Sequence, residues 1–119
     1  METKTKTVDY VKSPQGKQIA IPKVEMPYGN VLVSAEKIDV LGYEGLEIAD
    51  DQVVVAVSEN SWLKVGDIVR LDFYTFRYNS KPGKNDVGTV REIIIPYDEI
   101  DKRKYLYLKD SQFKFKIKK

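Results

Sequence analysis

Carboxylates cluster twice in this chain: residues 97–101 read Tyr-Asp-Glu-Ile-Asp, and residues 47–51 read Glu-Ile-Ala-Asp-Asp. Paired carboxylates can divide acid and base work between them or cleave glycosides, and spaced ones can hold calcium. The second cluster lacks the regular spacing and central Gly of a calcium loop, so it reads as a polar turn between strands. The first has no companion residues that would build a substrate pocket. A third pattern is aromatic: Tyr74, Phe76 and Tyr78 alternate with Thr75 and Arg77. That period suits a base-stacking platform on a strand, but it equally describes one apolar face of core or interface.

The chemistry is bounded by what the chain lacks. With no Cys and no His, thiol, haem, iron–sulfur and most zinc chemistry is excluded, as is the commonest general base near neutral pH. Catalytic, cofactor-binding and metal residues are therefore all expected to be none, and the protein is expected not to be an enzyme. Charge is uneven: residues 1–23 hold five Lys against Glu2 and Asp9, and residues 102–119 hold eight Lys or Arg against Asp110. The whole chain is only +2, so the body between the basic ends is acidic. Such asymmetry suits contact between copies, or solvated lysines on strand edges. Nucleic acid is not the expected partner of an acidic body.

These residues sit on short β-branched and aliphatic runs at 31–35, 37–41, 45–49, 52–57, 67–76, 88–95, 104–109 and 113–118. Turn chemistry bounds each run, and no apolar period of 3.6 is sustained, so the chain reads as all-β, a small barrel or sandwich. At 119 residues one domain is expected, over 29–119. Residues 1–28 carry Pro14, Pro22 and Pro27, which forbid a helix and predict an extended N-terminal arm whose Ile19, Ile21, Val24 and Met26 pack on this subunit or a neighbour. Residues 79–86 predict a long loop, 96–104 a helical turn after Pro96, and 109–112 a hairpin turn. No stretch approaches the length of a membrane span, and the first ten residues contain no signal-like apolar run, so a soluble, cytoplasmic setting is expected.

Two segments are the most informative. Val65-Gly66-Asp67 predicts a tight corner, Gly supplying the backbone angle and Asp accepting amide bonds, before Ile68, Val69 and Leu71 enter a strand. At the end, Phe113, Phe115 and Ile117 alternate with Lys114, Lys116 and Lys118, which predicts one core face and one wet face.

Taken in order, a first strand at 30–34, a loop containing Glu-Gly-Leu-Glu-Ile (44–48), Val-Val-Ala-Val (54–57), Leu-Lys-Val-Gly-Asp-Ile-Val (63–69) and a terminal segment at 99–117 resemble the co-chaperonin (GroES-like) family, a virus-encoded form being one reading. The resemblance implies a small GroES-like β-barrel that is not an enzyme. It implies a loop in which Leu46 and Ile48 dock on a chaperonin and Gly45 is the hinge. It also implies a ring in which the last strand, carrying Phe113, Phe115 and Ile117, pairs with the first strand of the next copy. This sequence departs from the family where glycines flank the central strand: Gln52 and Ser58 stand there. The alternative is a structural subunit of a virus particle, an auxiliary or decoration capsid protein on the same barrel, anchored by residues 1–28. Partners are then its own copies with either a chaperonin or a capsid, and its place is the cytoplasm or the particle.

Overall fold

A computed structural model describes residues 9–39, 46–72, 75–76, 80–82, 91–93 and 95–118. The described elements are β1 (Tyr10–Lys12), β2 (Gln18–Ala20), β3 (Asn30–Ser34), β4 (Lys37–Asp39), β5 (Leu46–Ile48), β6 (Asp51–Val57), β7 (Ile68–Leu71), β8 (Ser80–Pro82), β9 (Arg91–Ile93), β10 (Tyr97–Ile100), β11 (Arg103–Lys109) and β12 (Phe113–Ile117). The fold is all-β. Six strands form one antiparallel sheet in the order β10-β11-β3-β6-β7-β12, and β1-β2, β4-β5 and β8-β9 form two-stranded ribbons.

The central sheet rolls. β11 and β12 are consecutive in the chain, yet four strand spacings separate them in the sheet order, about 19 Å if it were flat. A tight turn joins them: Gln112 N–H donates to the Lys109 carbonyl (3.0 Å), and Lys109 N–H donates to Gln112 Oε1 (2.9 Å). A turn of this kind spans less than about 7 Å, so the sheet must curl until its two sides approach. β6 is where it bends, pairing with β3 through Val54, Ala56 and Val57 and with β7 through Asp51, Gln52 and Val53. An irregularity in the β3-β6 register leaves Val55 as the extra residue, and bulges of this kind increase local twist.

Inside the roll lie Val31, Val33, Val54, Leu63, Val69, Leu71, Phe76, Leu106, Leu108 and Phe113. The outer face is apolar as well, because β3 and β6 are buried at consecutive positions. Leu32, Val53, Val55, Ala56 and Tyr105 form a second cluster there with Met26, and Val11 and Ile19 pack against it. Residues 9–28 therefore fold back as a hairpin, β1-β2, that roofs the chain's own sheet. The Tyr105 hydroxyl ties the two layers by donating to the Ala20 carbonyl at 2.8 Å.

Two expected loops are structured differently. The helical turn expected after Pro96 is strand β10, because Asp101 and Lys102 both take positive φ (52° and 65°). That two-residue turn has the twist that lets flanking strands pair at once, and Ile100 faces Arg103 directly across it. Within the loop expected over 79–86, Ser80–Pro82 instead pairs with Arg91–Ile93 as the β8-β9 ribbon. Residues 109–112 do form a turn, but it joins strands that are not sheet neighbours.

Burial raises the Tyr105 hydroxyl pKa above the ordinary value of 10.0. A raised acid stays protonated in the fold while the unfolded chain ionises, so its stabilising effect is complete below that ordinary value and is lost as pH rises through the folded value. Tyr105→Phe is expected to lower stability at neutral pH by about 1 kcal/mol through the lost hydrogen bond, and to remove part of the alkaline loss. Denaturant melts between pH 7 and 11 measure both; a constant difference between the two proteins at all pH values would contradict the burial argument.

Candidate functional site

Leu46 and Ile48 lie on β5, which pairs with β4 in the register Lys37 to Ile48, Ile38 to Glu47 and Asp39 to Leu46. Ile48 is half-buried against the core inside the roll, so the root of the ribbon is packed. Gly45 lies outside the described residues.

What fixes the ribbon's root is a buried amide. Gln52 is fully buried, a costly place for a polar side chain unless every group is bonded. Its Oε1 accepts from the Ser34 hydroxyl (2.7 Å) and from Glu36 N–H (2.9 Å). Its Nε2 donates to the carbonyls of Glu36 and Ala49, both at 2.9 Å. The Ser34 oxygen in turn accepts from Val53 N–H at 3.0 Å, and Ala49 N–H donates to Glu36 O at 2.9 Å. The exit from β3, the entry to β4, the exit from β5 and the start of β6 thus meet on one side chain. Sequence reading registers Gln52 only as a departure from glycine, because neither burial nor convergence of four chain segments is visible locally.

The corner at Val65-Gly66-Asp67 is a β-turn. Asp67 N–H donates to Lys64 O (3.0 Å), Lys64 N–H donates to Asp67 Oδ2 (2.8 Å), and Gly66 N–H donates to Val54 O (2.9 Å). Gly66 has φ +97°, and a Cβ built there would meet only Val11 at 4.0 Å. Glycine is needed for the backbone conformation rather than for space. Val65 is exposed.

The alternation expected along 113–118 is broken. Phe113 faces Leu71, but the register then shifts, so Phe115 faces Arg70, Lys116 faces Val69 and Ile117 faces Ile68. Directly opposed residues share a face of the sheet, which sets Phe115 and Ile117 on the opposite face from Phe113. Phe113 is buried while Phe115 is 45% exposed. Phe115 is instead covered by Arg70, whose Cζ lies 5.3 Å from the ring centroid. Arg70 is gripped from its other side by Asp51, Nε to Oδ1 at 2.8 Å and Nη2 to Oδ2 at 3.1 Å. That bond and charge hold the guanidinium above its ordinary pKa. Asp51, Arg70 and Phe115 thus form one cross-strand row.

Lys116 bridges two other segments: its Nζ is 3.3 Å from Asp67 Oδ2 and 5.5 Å from the Trp62 ring centroid. Trp62, 46% exposed, donates its indole N–H to Asp110 O at 2.9 Å.

Asp98 and Glu99 are exposed neighbours on β10, and strand alternation sends them to opposite faces, so they are not a catalytic pair. In the other acidic cluster Asp51 is engaged by Arg70. Among the described residues no group of acids is placed to hold a metal ion. Phe76 is fully buried in the core, which removes it from any stacking platform; Tyr74 and Tyr78 lie outside the described residues. No helix among the described residues is long and apolar enough to cross a membrane.

A scan of known protein families finds no model that matches the chain, and no curated protein matches it in sequence.

Two substitutions test this anatomy. Gln52→Leu is expected to cost about 3 kcal/mol, since it strands buried backbone groups, and to raise amide exchange at residues 37–39 and 46–48 more than in β11. Uniform change across both regions would deny Gln52 its role as the ribbon's anchor. Gly66→Ala is expected to cost about 1 kcal/mol from the positive φ alone, read as a lowered midpoint with unchanged m-value in urea.

Proposed function

We propose that this protein is a non-enzymatic, self-associating β-domain of the GroES-like co-chaperonin type, which docks on a chaperonin through the β4-β5 ribbon. The observation that carries the reading is the ribbon's anchorage: the two-stranded ribbon that includes Leu46 is held at its base by a fully bonded, buried Gln52. A stiff root lowers the entropic cost of presenting an apolar contact, and repetition of a modest contact around a ring gains avidity while each site can still release. The order of strand, loop, strand, corner and terminal segment supports the same reading, and β12 lies at an open side of the sheet; the first strand of that order, β3, is paired on both sides by β11 and β6, so the expected joining of β12 to the next copy's first strand finds no free edge there.

In this proposal Leu46 makes the docking contact, while Ile48, half-buried against the core, sets the ribbon's direction. The alternative role as a virus-particle subunit would use residues 1–28 as an anchor. Residues 9–28 already roof this chain's own sheet, so the co-chaperonin reading is preferred.

The test is the mass of the native protein by sedimentation, alone and with a chaperonin and nucleotide. A closed oligomer that moves onto the chaperonin is expected, with Leu46→Asp abolishing the shift while leaving the melting midpoint within about 2 °C. Undiminished binding of Leu46→Asp would refute the docking role.

A further inference from the structure

Beyond Ser34 and Tyr105 the central sheet comes apart on one side. β3 and β11 pair from Asn30 opposite Lys109 to Ser34 opposite Tyr105, and two more residues in that register would set Glu36 opposite Arg103. The ladder stops short of them because Gln52 draws the chain away, bonding both the Glu36 N–H and the Glu36 carbonyl at 2.9 Å. Arg103 stays in β11, paired with Ile100 on its other side. Where the strands part, an open cleft of about 350 Å³ lies between them and the β1-β2 hairpin. We propose that this cleft binds a free aromatic α-amino acid, its carboxylate at Arg103 and its ammonium at Glu36.

The walls divide by chemistry. Tyr10, Ile19, Ala20 and Ala35 line the cleft with apolar surface. Tyr105 is buried in its wall, and the bond from its hydroxyl to the Ala20 carbonyl (2.8 Å) holds the hairpin in place over the sheet. Tyr10 is 49% exposed, which leaves ring surface for an aromatic side chain to pack on.

Two opposite charges flank these walls. Arg103 is two residues from Tyr105 on one strand, so it shares the face that the hairpin covers. Lys104 points the other way, its Nζ 4.1 Å from the Tyr97 ring centroid. Neither Arg103 nor Glu36 belongs to the ion pairs among the described residues, Arg70–Asp51 and Lys116–Asp67. Glu36 Oε1 accepts from the Ser13 hydroxyl at 3.4 Å, a long bond that leaves carboxylate capacity for a ligand. With its backbone fixed by Gln52, Glu36 is also presented at a small cost in entropy.

Charge then selects the ligand. A simple anion drawn to Arg103 meets repulsion from Glu36, and a simple cation drawn to Glu36 meets it from Arg103. A zwitterion satisfies both with charge-assisted hydrogen bonds. An α-amino acid carries its two charges on either side of one carbon, which bridges a gap that the two side chains do not close themselves. The volume falls at the lower end of the roughly 300–1,000 Å³ usual for small-ligand sites, room for one amino acid rather than a peptide. Leu46 and Ile48 are not among the residues of the cleft, so amino-acid binding is independent of docking on a chaperonin.

The probe is L-phenylalanine, titrated into the full chain and followed by amide chemical shifts. Saturable shifts are expected at residues 10, 18–20, 35–36 and 103–105 and not in β12. Phenethylamine, which lacks the carboxylate, and 3-phenylpropionate, which lacks the ammonium, are each expected to bind at least about tenfold more weakly through the loss of one charged hydrogen bond. Arg103→Gln is expected to weaken L-phenylalanine about tenfold without weakening phenethylamine, and Glu36→Gln to weaken it equally without weakening 3-phenylpropionate. Absence of saturable shifts with L-phenylalanine overturns the proposal, as does a set of shifts centred elsewhere. Binding of either analogue as tightly as the amino acid overturns it too. These readouts use the unaltered protein, so they decide the matter even where a variant fails to fold.

Discussion

Val31, Leu32, Val33 and Ser34 are buried without interruption, as are the five residues from Gln52 to Ala56. A strand alternates its side chains between two faces, so neither β3 nor β6 has a face that water can solvate, and much of the architecture follows from that constraint. One face is closed by rolling the sheet until β11 and β12 can be joined by a tight turn. The other cannot be closed in the same way, because a sheet curls toward one side only. It is closed by residues 9–28, whose prolines prevent a helix and whose few apolar side chains, Val11, Ile19 and Met26, suffice for a thin cover. At roughly 25 cal/mol per Å² of apolar surface, covering Leu32, Val53 and Val55 offsets part of the entropy lost in ordering the hairpin. The Tyr105 hydrogen bond to Ala20 fixes where the cover sits.

The same constraint explains why a buried amide is tolerated at the head of β6. Position 52 must be dry because the strand is dry, yet the chain leaves the sheet on either side of it to make the β4-β5 ribbon. Leaving a sheet strips backbone groups of their ladder partners, and in a dry place those groups must be bonded. A glutamine has one acceptor and two donor hydrogens, and here all are matched to Ser34, Glu36 and Ala49. Local stiffness at the ribbon's root is therefore a consequence of polar satisfaction.

Much of the strand content was legible because β-branched runs bounded by turn residues carry their own signal: β7 and β12 fall within expected runs, and β3, β6 and β11 each begin one residue before theirs. The Gly66 corner was legible for the same reason, since its backbone angle belongs to one residue type. What was not legible depended on distance in space. β1 and β2 are three residues each and have little propensity of their own; they exist because an apolar face elsewhere needs a cover. β10 was hidden by acids and a proline that suit a helix start equally well, and the deciding feature is the Asp101-Lys102 turn, whose positive φ values neither residue advertises. Of the candidate site, the apolar residues of β5 could be named from sequence, whereas Gln52 could not.

The interrupted alternation of β12 shows how one irregularity changes which side chains share a face. A regular strand would set Phe113, Phe115 and Ile117 together on the core side and present only lysines on the other. The shift between Phe113 and Phe115 puts Lys116 on the face of Phe113 and Val69, and Phe115 with Ile117 on the face of Arg70. A one-residue slip in pairing exchanges the faces of every side chain. The bulge trades a little ladder regularity for the row in which Phe115 lies beneath the Arg70 guanidinium that Asp51 holds.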